Sequence, residues 1–241
     1  MGKKKFFLTI DTETTQTGKV ADLGVVVSDK QGNIHFEGGY LLADFYSDRE
    51  AHPLFHVFGD AKDIFSKASL PKRYRAYDDM LQSGKRMICS VAAINRLFAK
   101  IAARYPGIVA TAYNKAFDWE KLESSGIPVS EFFPKSFCLW HAAVAKWGNT
   151  REYKAFALQQ HRFGARTKGG HMGIQTKADV MAKFLLGEGL ADEPHTALED
   201  ARDYEVPILT RLVKLVSPAE YMYPPVYNWR DWALRDHYVP K

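Results

Sequence analysis

The sequence predicts a single α/β domain built around a mixed sheet, on three observations. Three strand-like segments open the chain, helices and strands alternate after them, and no linker, internal repeat or low-complexity tract separates the two regions. The 241 residues, 46% apolar and 25% charged, have the composition of an ordinary globular protein with one sizeable core, which excludes disordered and fibrous classes.

Lys5–Asp11 is a short apolar run with aromatic and β-branched residues, the pattern of a buried strand. Val20–Ser28 and Ile34–Leu42 read as two more strands joined by the turn at residues 29–33, so an antiparallel meander is expected first. Residues 43–70 read as irregular. A helix from Lys72 to Ser83 precedes Gly84, and Ser90 caps the next, whose apolar face (Val91, Ile94, Leu97, Phe98, Ile101) runs to Tyr105 before Pro106-Gly107. Ile108–Tyr113 is a further strand, followed by a helix to Ser125 that Gly126 and Pro128 stop. Phe137–Trp140 reads as a short strand leading into another helix. A loop carrying Gly164, Gly169, Gly170 and Gly173 precedes a helix from Thr176 to Leu186. The last helix starts near Thr196 and is expected to kink or break at Pro207. The domain is placed at residues 1–216. In the tail, 217–241, Tyr221, Tyr223, Tyr227, Trp229, Trp232 and Tyr238 crowd together, and it is expected to wrap onto the body because so many rings are costly to leave in water.

No apolar run reaches the roughly 18 residues of a membrane span. The apolar stretch after the positive start ends at Asp11, too short for a signal peptide, so a cytoplasmic protein without membrane partners is expected. Cys89 and Cys138 have neither zinc-site nor disulfide spacing and read as structural thiols. A net charge of +5 weakly favours polyanionic partners. Between Lys146 and Lys183 eight Lys/Arg stand against Glu152 and Asp179, with Trp147, Tyr153, Phe156 and Phe163 interleaved. Cations that track phosphates and rings that stack bases are the components of a single-strand groove, although the same pattern also suits a solvated helix face over core aromatics.

Three acidic elements fall where an α/β sheet gathers its strand ends and helix starts. Asp11 and Glu13 end the first strand on one face, with Cα atoms roughly 6.5–7 Å apart, close enough to repel unless a cation lies between them. Hard carboxylate ligands of this kind suit Mg²⁺ or Mn²⁺. Asn114 is placed to cap the helix after the fourth predicted strand, which puts Asp118 in that helix's first turn, a position the helix dipole alone also favours. Thr196-x-x-Glu199 reads as a capping box that occupies Glu199 and leaves Asp200 without a structural task. His195 and Asp200 then take the two positions of a hydrophobic staple, and a polar pair there breaks a local rule.

Taken together, Leu8-Thr9-Ile10-Asp11-Thr12-Glu13-Thr14-Thr15, Asn114-Lys115-Ala116-Phe117-Asp118 and His195-Thr196-Ala197-Leu198-Glu199-Asp200-Ala201 resemble the three motifs of the DEDDh 3′-5′ exonucleases, the family of the proofreading subunit of bacterial replicases and of ribonuclease T. Val20-Ala21-Asp22-Leu23-Gly24-Val25 is similar to the family's second strand. In the tyrosine branch of the superfamily a Tyr stands at the position of Thr196, so the histidine branch is the match. The resemblance covers about residues 5–212 and does not extend to the detail of 43–90 and 164–194, which leaves substrate choice unset.

The resemblance implies a ribonuclease H-like mixed five-stranded sheet flanked by helices and a two-metal phosphodiester hydrolysis with Mg²⁺ or Mn²⁺. Asp11 would bridge both ions, Glu13 and Asp200 would complete one site, Asp118 would support the other, and His195 would be the general base. Glu13 and the backbone around Thr14 would hold a terminal 3′-hydroxyl, and Thr12, Thr14, Asn114 and Phe117 are the expected substrate contacts. The expected partner is a nucleic acid with a free 3′ end, single-stranded DNA slightly ahead of RNA because of the basic-aromatic stretch. A homodimer or a polymerase partner is the further expectation. The rival expectations are a catalytically silent nucleic-acid-binding or scaffold module of a replication assembly, or an enzyme for small oligonucleotides or cyclic nucleotides.

Overall fold

β1 (Phe6–Thr14) is the strand on which the rest is assembled, in a computed structural model that describes residues 4–55, 70–166, 172–225 and 233–234. Its side chains alternate between two apolar layers, Phe7 entering one and Leu8 and Ile10 the other, so both faces of the strand are covered. β2 (Val20–Asp29) runs antiparallel to it and is buried along its whole length. β3 (Ile34–Leu42) completes the meander, with Gly32 at φ +92° in the connecting turn. After the short α1 (Ala43–Tyr46) and α2 (Leu70–Gln82), β4 (Met87–Cys89) pairs parallel to β3. α3 (Val91–Arg104), capped by the Ser90 hydroxyl, leads to β5 (Val109–Ala112), parallel to β1; α4 (Lys115–Ser124) and α5 (Val129–Phe132) lead to β6 (Ser136–Cys138), parallel to β5.

The result is a six-stranded mixed sheet of order β4-β3-β2-β1-β5-β6 with helices on both faces. It is the α/β architecture expected from the sequence, with one strand more than the five anticipated. The addition is β4, a three-residue edge strand with no room for a periodicity to show.

α3 and α4 cover one face through Ile94, Phe98, Ile101, Trp119 and Leu122. The other face carries α6 (Leu139–Ala143), which runs on as a π-helical turn (Val144–Gly148), then α7 (Arg151–Gln159) and α8 (Ala178–Leu186). The last helical rod lies on that face too: α9 (Ala197–Asp200), a π-helical turn (Ala201–Glu205) and α10 (Val206–Leu215). Pro207 neither breaks nor ends this rod. The irregularity it demands is taken up one turn earlier as π-helix, where the proline ring would otherwise meet a carbonyl of the preceding turn.

Between α7 and α8 the expected glycine loop contains a hairpin, β7 (Phe163–Arg166) and β8 (Met172–Ile174), while Gly169 and Gly170 lie outside the described residues. The tail supplies α11 (Pro218–Met222) and β9 (Ala233–Leu234), the latter pairing with β8 in a separate three-stranded sheet. Tyr221 is buried against Phe7 and Phe137 and takes a hydrogen bond from Lys5, so this part of the tail wraps as expected. Tyr223 remains exposed, and Tyr227, Trp229, Trp232 and Tyr238 lie outside the described residues, as do positions 56–69 of the stretch read as irregular. Cys89 and Cys138 are free thiols. Among the described residues no helix is long and apolar enough to cross a membrane.

Candidate metal centre

Alternation along β1 decides where its acids go. Asp11 and Glu13 share the face of Phe7, the side of the last helical rod, while Thr12 shares the face of Leu8 and Ile10, the side of α4. The ladder to β2 shifts register between Glu13 and Thr14, an irregularity typical of strands beside sites. Asp118, in the first turn of α4 just past the end of β5, accepts a hydrogen bond from the Thr12 hydroxyl at 2.7 Å. The acids thus gather at the carboxyl ends of β1 and β5, where open α/β sheets place their ligands.

Asp200 arrives by a different route. Gly24 stands opposite Asp11 in the β1–β2 ladder, and a Cβ there would lie 2.1 Å from the Ala197 carbonyl oxygen. Only glycine lets the start of α9 rest directly on the sheet. Asp22 of the same strand accepts the Ala197 N–H at 3.0 Å and is clamped by Arg86, whose Nε and Nη2 lie 2.8 and 3.1 Å from its two oxygens. Arg86 also reaches Glu199, at 2.6 Å.

The capping box expected at Thr196 and Glu199 is therefore not formed. Thr196 sits at the N-cap position without a side-chain capping bond, while the sheet's own Asp22 takes the Ala197 amide and the Arg86 cation takes Glu199. Asn114 likewise stands at the N-cap of α4 without a side-chain capping bond and lines a cavity instead.

One ligand atom each from Glu13, His195 and Asp200 lie within 4.8 Å of one another, a group that could hold a metal ion. Asp200 Oδ1 is buried with no hydrogen-bond partner, an orphaned acceptor that a cation would satisfy. Asp11 and Asp118 are outside this tight group and line the adjoining cavity of about 390 Å³ with Thr12, Tyr113, Asn114, Phe117 and His195. Thr14 does not line it: its side chain is buried and its carbonyl accepts the Phe55 N–H at 2.8 Å. Asp11, Glu13, Asp118, His195 and Asp200 are thus brought to one place, as are Thr12, Asn114 and Phe117.

Burial pushes every one of these carboxyls up. Asp11 rises well above the usual range through burial and then the charges of Glu205, Asp118, Asp200 and Glu13. Asp118 is raised to about 7, burial outweighing the bond from Thr12. Glu13 is also raised to about 7, burial outweighing the Arg73 guanidinium 2.9 Å away. Asp200 is raised to about 10 by burial and the charges of Glu193, Glu13 and Glu205. His195 moves the other way: burial, followed by the Arg73 and Lys177 charges, depresses its imidazole, so the ring is neutral at neutral pH. Its backbone is held at φ +55°, a conformation non-glycine residues rarely adopt.

Sequence reasoning missed several residues of the site. Arg73 comes from α2, in a segment the motifs do not touch, and is fully buried against Glu13. Glu193, Glu205 and Trp140 line the cavity as well, beside Lys177 of the basic stretch singled out in the sequence. Glu193 is raised to about 7 by burial and then by Asp179 and Glu13. Glu205 is an acid on the predicted last helix just before its irregularity, a position with no functional signal of its own.

The single-strand groove expected between Lys146 and Lys183 is corrected. Trp147 and Tyr153 are 8% and 0% exposed and belong to the core between α6, α7 and α8, where they cannot stack on bases. Lys183 is buried too and pairs with Asp192. Lys168 lies outside the described residues. The aromatic rings that line the cavity are Tyr113, Phe117 and Trp140.

No family model matches the chain, and no curated protein matches it either.

Proposed function

We propose that this chain is a divalent-metal-dependent 3′-5′ exonuclease of the DEDDh type, hydrolysing phosphodiester bonds from the 3′ end of a nucleic acid. The observation that carries the proposal is the meeting of four acids from three distant segments, Glu13 and Asp200 grouped with His195 within 4.8 Å beside the cavity that Asp11, Asp118 and His195 line. Buried carboxyls in such number repel one another and are expensive to ionise without cations. The donor set is all-oxygen apart from His195, which suits Mg²⁺ or Mn²⁺, and the orphaned Asp200 Oδ1 fits the same ions.

Asp11, Glu13, Asp118 and Asp200 would hold two such ions. Bound there, the ions supply Lewis acidity toward the scissile phosphate and a more acidic water. Thr12 fixes the Asp118 carboxylate in place through the 2.7 Å bond from its hydroxyl. Arg73 holds Glu13 and adds positive charge to a pocket that must accept a phosphate. His195, kept neutral by burial and by Arg73 and Lys177, is suited to accept a proton from the attacking water. Phe117 and Trp140 offer ring faces to the terminal base, and Lys177 offers a cation to the backbone. These contacts tolerate any base, and the former ground for preferring DNA is gone with the burial of Trp147 and Tyr153.

The test is a panel of 5′-labelled RNA, single-stranded DNA, duplex and short oligonucleotides incubated with the chain in Mn²⁺, in Mg²⁺ and in chelator. A ladder shortening from the 3′ end, abolished by chelator and by Asp11→Ala or Asp200→Ala, is expected, and the substrate that shortens fastest identifies the class. Binding of nucleic acid that ignores chelator, with no nucleotide released from any substrate, would instead establish a silent binding module.

A further inference from the structure

The last helical rod brings a second acid to the site besides Asp200, and this one lines the cavity. A regular α-helix turns about 100° per residue, so residues five apart point roughly 140° away from each other. Between Ala201 and Glu205 the rod is π-helical, and the Val206 N–H reaches back to the Ala201 carbonyl. Residues five apart then lie about as close in direction as residues four apart in a regular α-helix, which brings Glu205 toward the side of the rod that Asp200 occupies. Single π-turns of this kind are rare and concentrate at functional sites.

Glu205 is 2% exposed and lines the cavity with Asp11 and Asp118. Its Oε1 accepts the Tyr113 N–H at 3.2 Å, which fixes the side chain against the end of β5. Its Oε2 is buried and has no hydrogen-bond partner. An acceptor for the Tyr113 N–H does not require a charge; a glutamine would serve and would spare Asp11 a repelling neighbour. The orphaned oxygen, buried beside Asp11 and Asp118, points to a cation.

We propose that Glu205 is a fifth carboxylate ligand of the divalent-ion centre, giving Oε2 to an ion on the side of Asp11 and Asp118; this rests on the metal-centre reading above.

The experiment titrates Mn²⁺ into the chelator-stripped full chain by calorimetry, comparing wild type, Glu205→Gln and Glu205→Asp. Wild type takes up Mn²⁺, and Glu205→Gln, which keeps the acceptor for Tyr113, weakens uptake by about tenfold or more, at least what loss of a supporting shell costs a metal site. Glu205→Asp retains the charge at a shorter reach and falls between the two. Uptake by Glu205→Gln equal to wild type overturns the assignment of Glu205 and leaves the nuclease reading standing, whereas a wild-type chain that takes up no Mn²⁺ defeats both. Anomalous scattering from Mn²⁺-soaked wild-type crystals decides the matter even if the variants do not fold. An ion within coordination distance of Glu205 Oε2 supports the proposal, and ions held only by Asp11, Glu13, Asp118 and Asp200 refute it.

Discussion

The metal-free protein is expected to be limited in stability by its own candidate site, and Asp118→Asn measures by how much. Asp118 is 3% exposed, and its carboxyl is raised from 3.8 to about 7. A raised acid stabilises the fold fully below its unfolded value of about 3.8, and that contribution is lost as pH rises through about 7. At pH 8 the gap amounts to on the order of 4 kcal/mol, and at pH 5 to less than half of that. Asparagine mimics the protonated acid: its carbonyl can still accept the 2.7 Å bond from Thr12, and it never ionises. In chelator, Asp118→Asn should therefore stabilise the fold by about 2–3 kcal/mol more at pH 8 than at pH 5. For a domain of this size that difference corresponds to about 5–10 °C in melting temperature. Saturating Mn²⁺ should reverse the order at pH 8, because the wild type gains binding energy that the variant cannot. Thermal melts at the two pH values, with and without Mn²⁺, read all four numbers. A variant no more stable than wild type in chelator at pH 8 would show that Asp118 is not a strained acid awaiting a cation.

Gly24→Ala should displace α9 from the sheet, lowering stability by about 3 kcal/mol or more by overpacking and lowering Mn²⁺ uptake with it, since the added methyl would meet backbone at 2.1 Å; a variant with unaltered melting and metal titration would contradict the close approach. Arg86→Ala leaves Asp22 buried without its cation and is expected to cost about 3–5 kcal/mol in chemical denaturation. Glu199→Gln should cost far less and leave turnover intact, and an inactive but stable Glu199→Gln would place Glu199 in the chemistry. His195→Ala should slow nucleotide release by about 10²–10⁴-fold while Mn²⁺ titrates as in wild type; loss of metal uptake in this variant would make His195 a ligand first and a base second.

The sequence by itself determined the sheet and the candidate acids. β1, β2 and β3 were legible because burial on both faces, or on one face at a time, writes its period directly into neighbouring residues. Asp11, Glu13, Asp118, His195 and Asp200 were legible because each stands at a strand end or helix start and the three segments together resemble the DEDDh motifs, although the helix dipole alone would also favour Asp118. What only the tertiary structure decided are the relations between distant segments. The cap of α9 comes from Asp22, and Glu199 answers to Arg86, so the local capping rule lost to a charge brought in from far along the chain. Trp147 and Tyr153 show the same limit from the other side: rings beside cations look alike in sequence whether they face solvent or the core. Arg73 and Glu205 reach the site through a segment outside the motifs and through a π-helical turn, and neither a one-residue change of helical pitch nor a contact across the fold leaves a periodic trace. Local pattern fixes which way a side chain points from its own strand or helix; which other side chain it meets depends on how those elements pack.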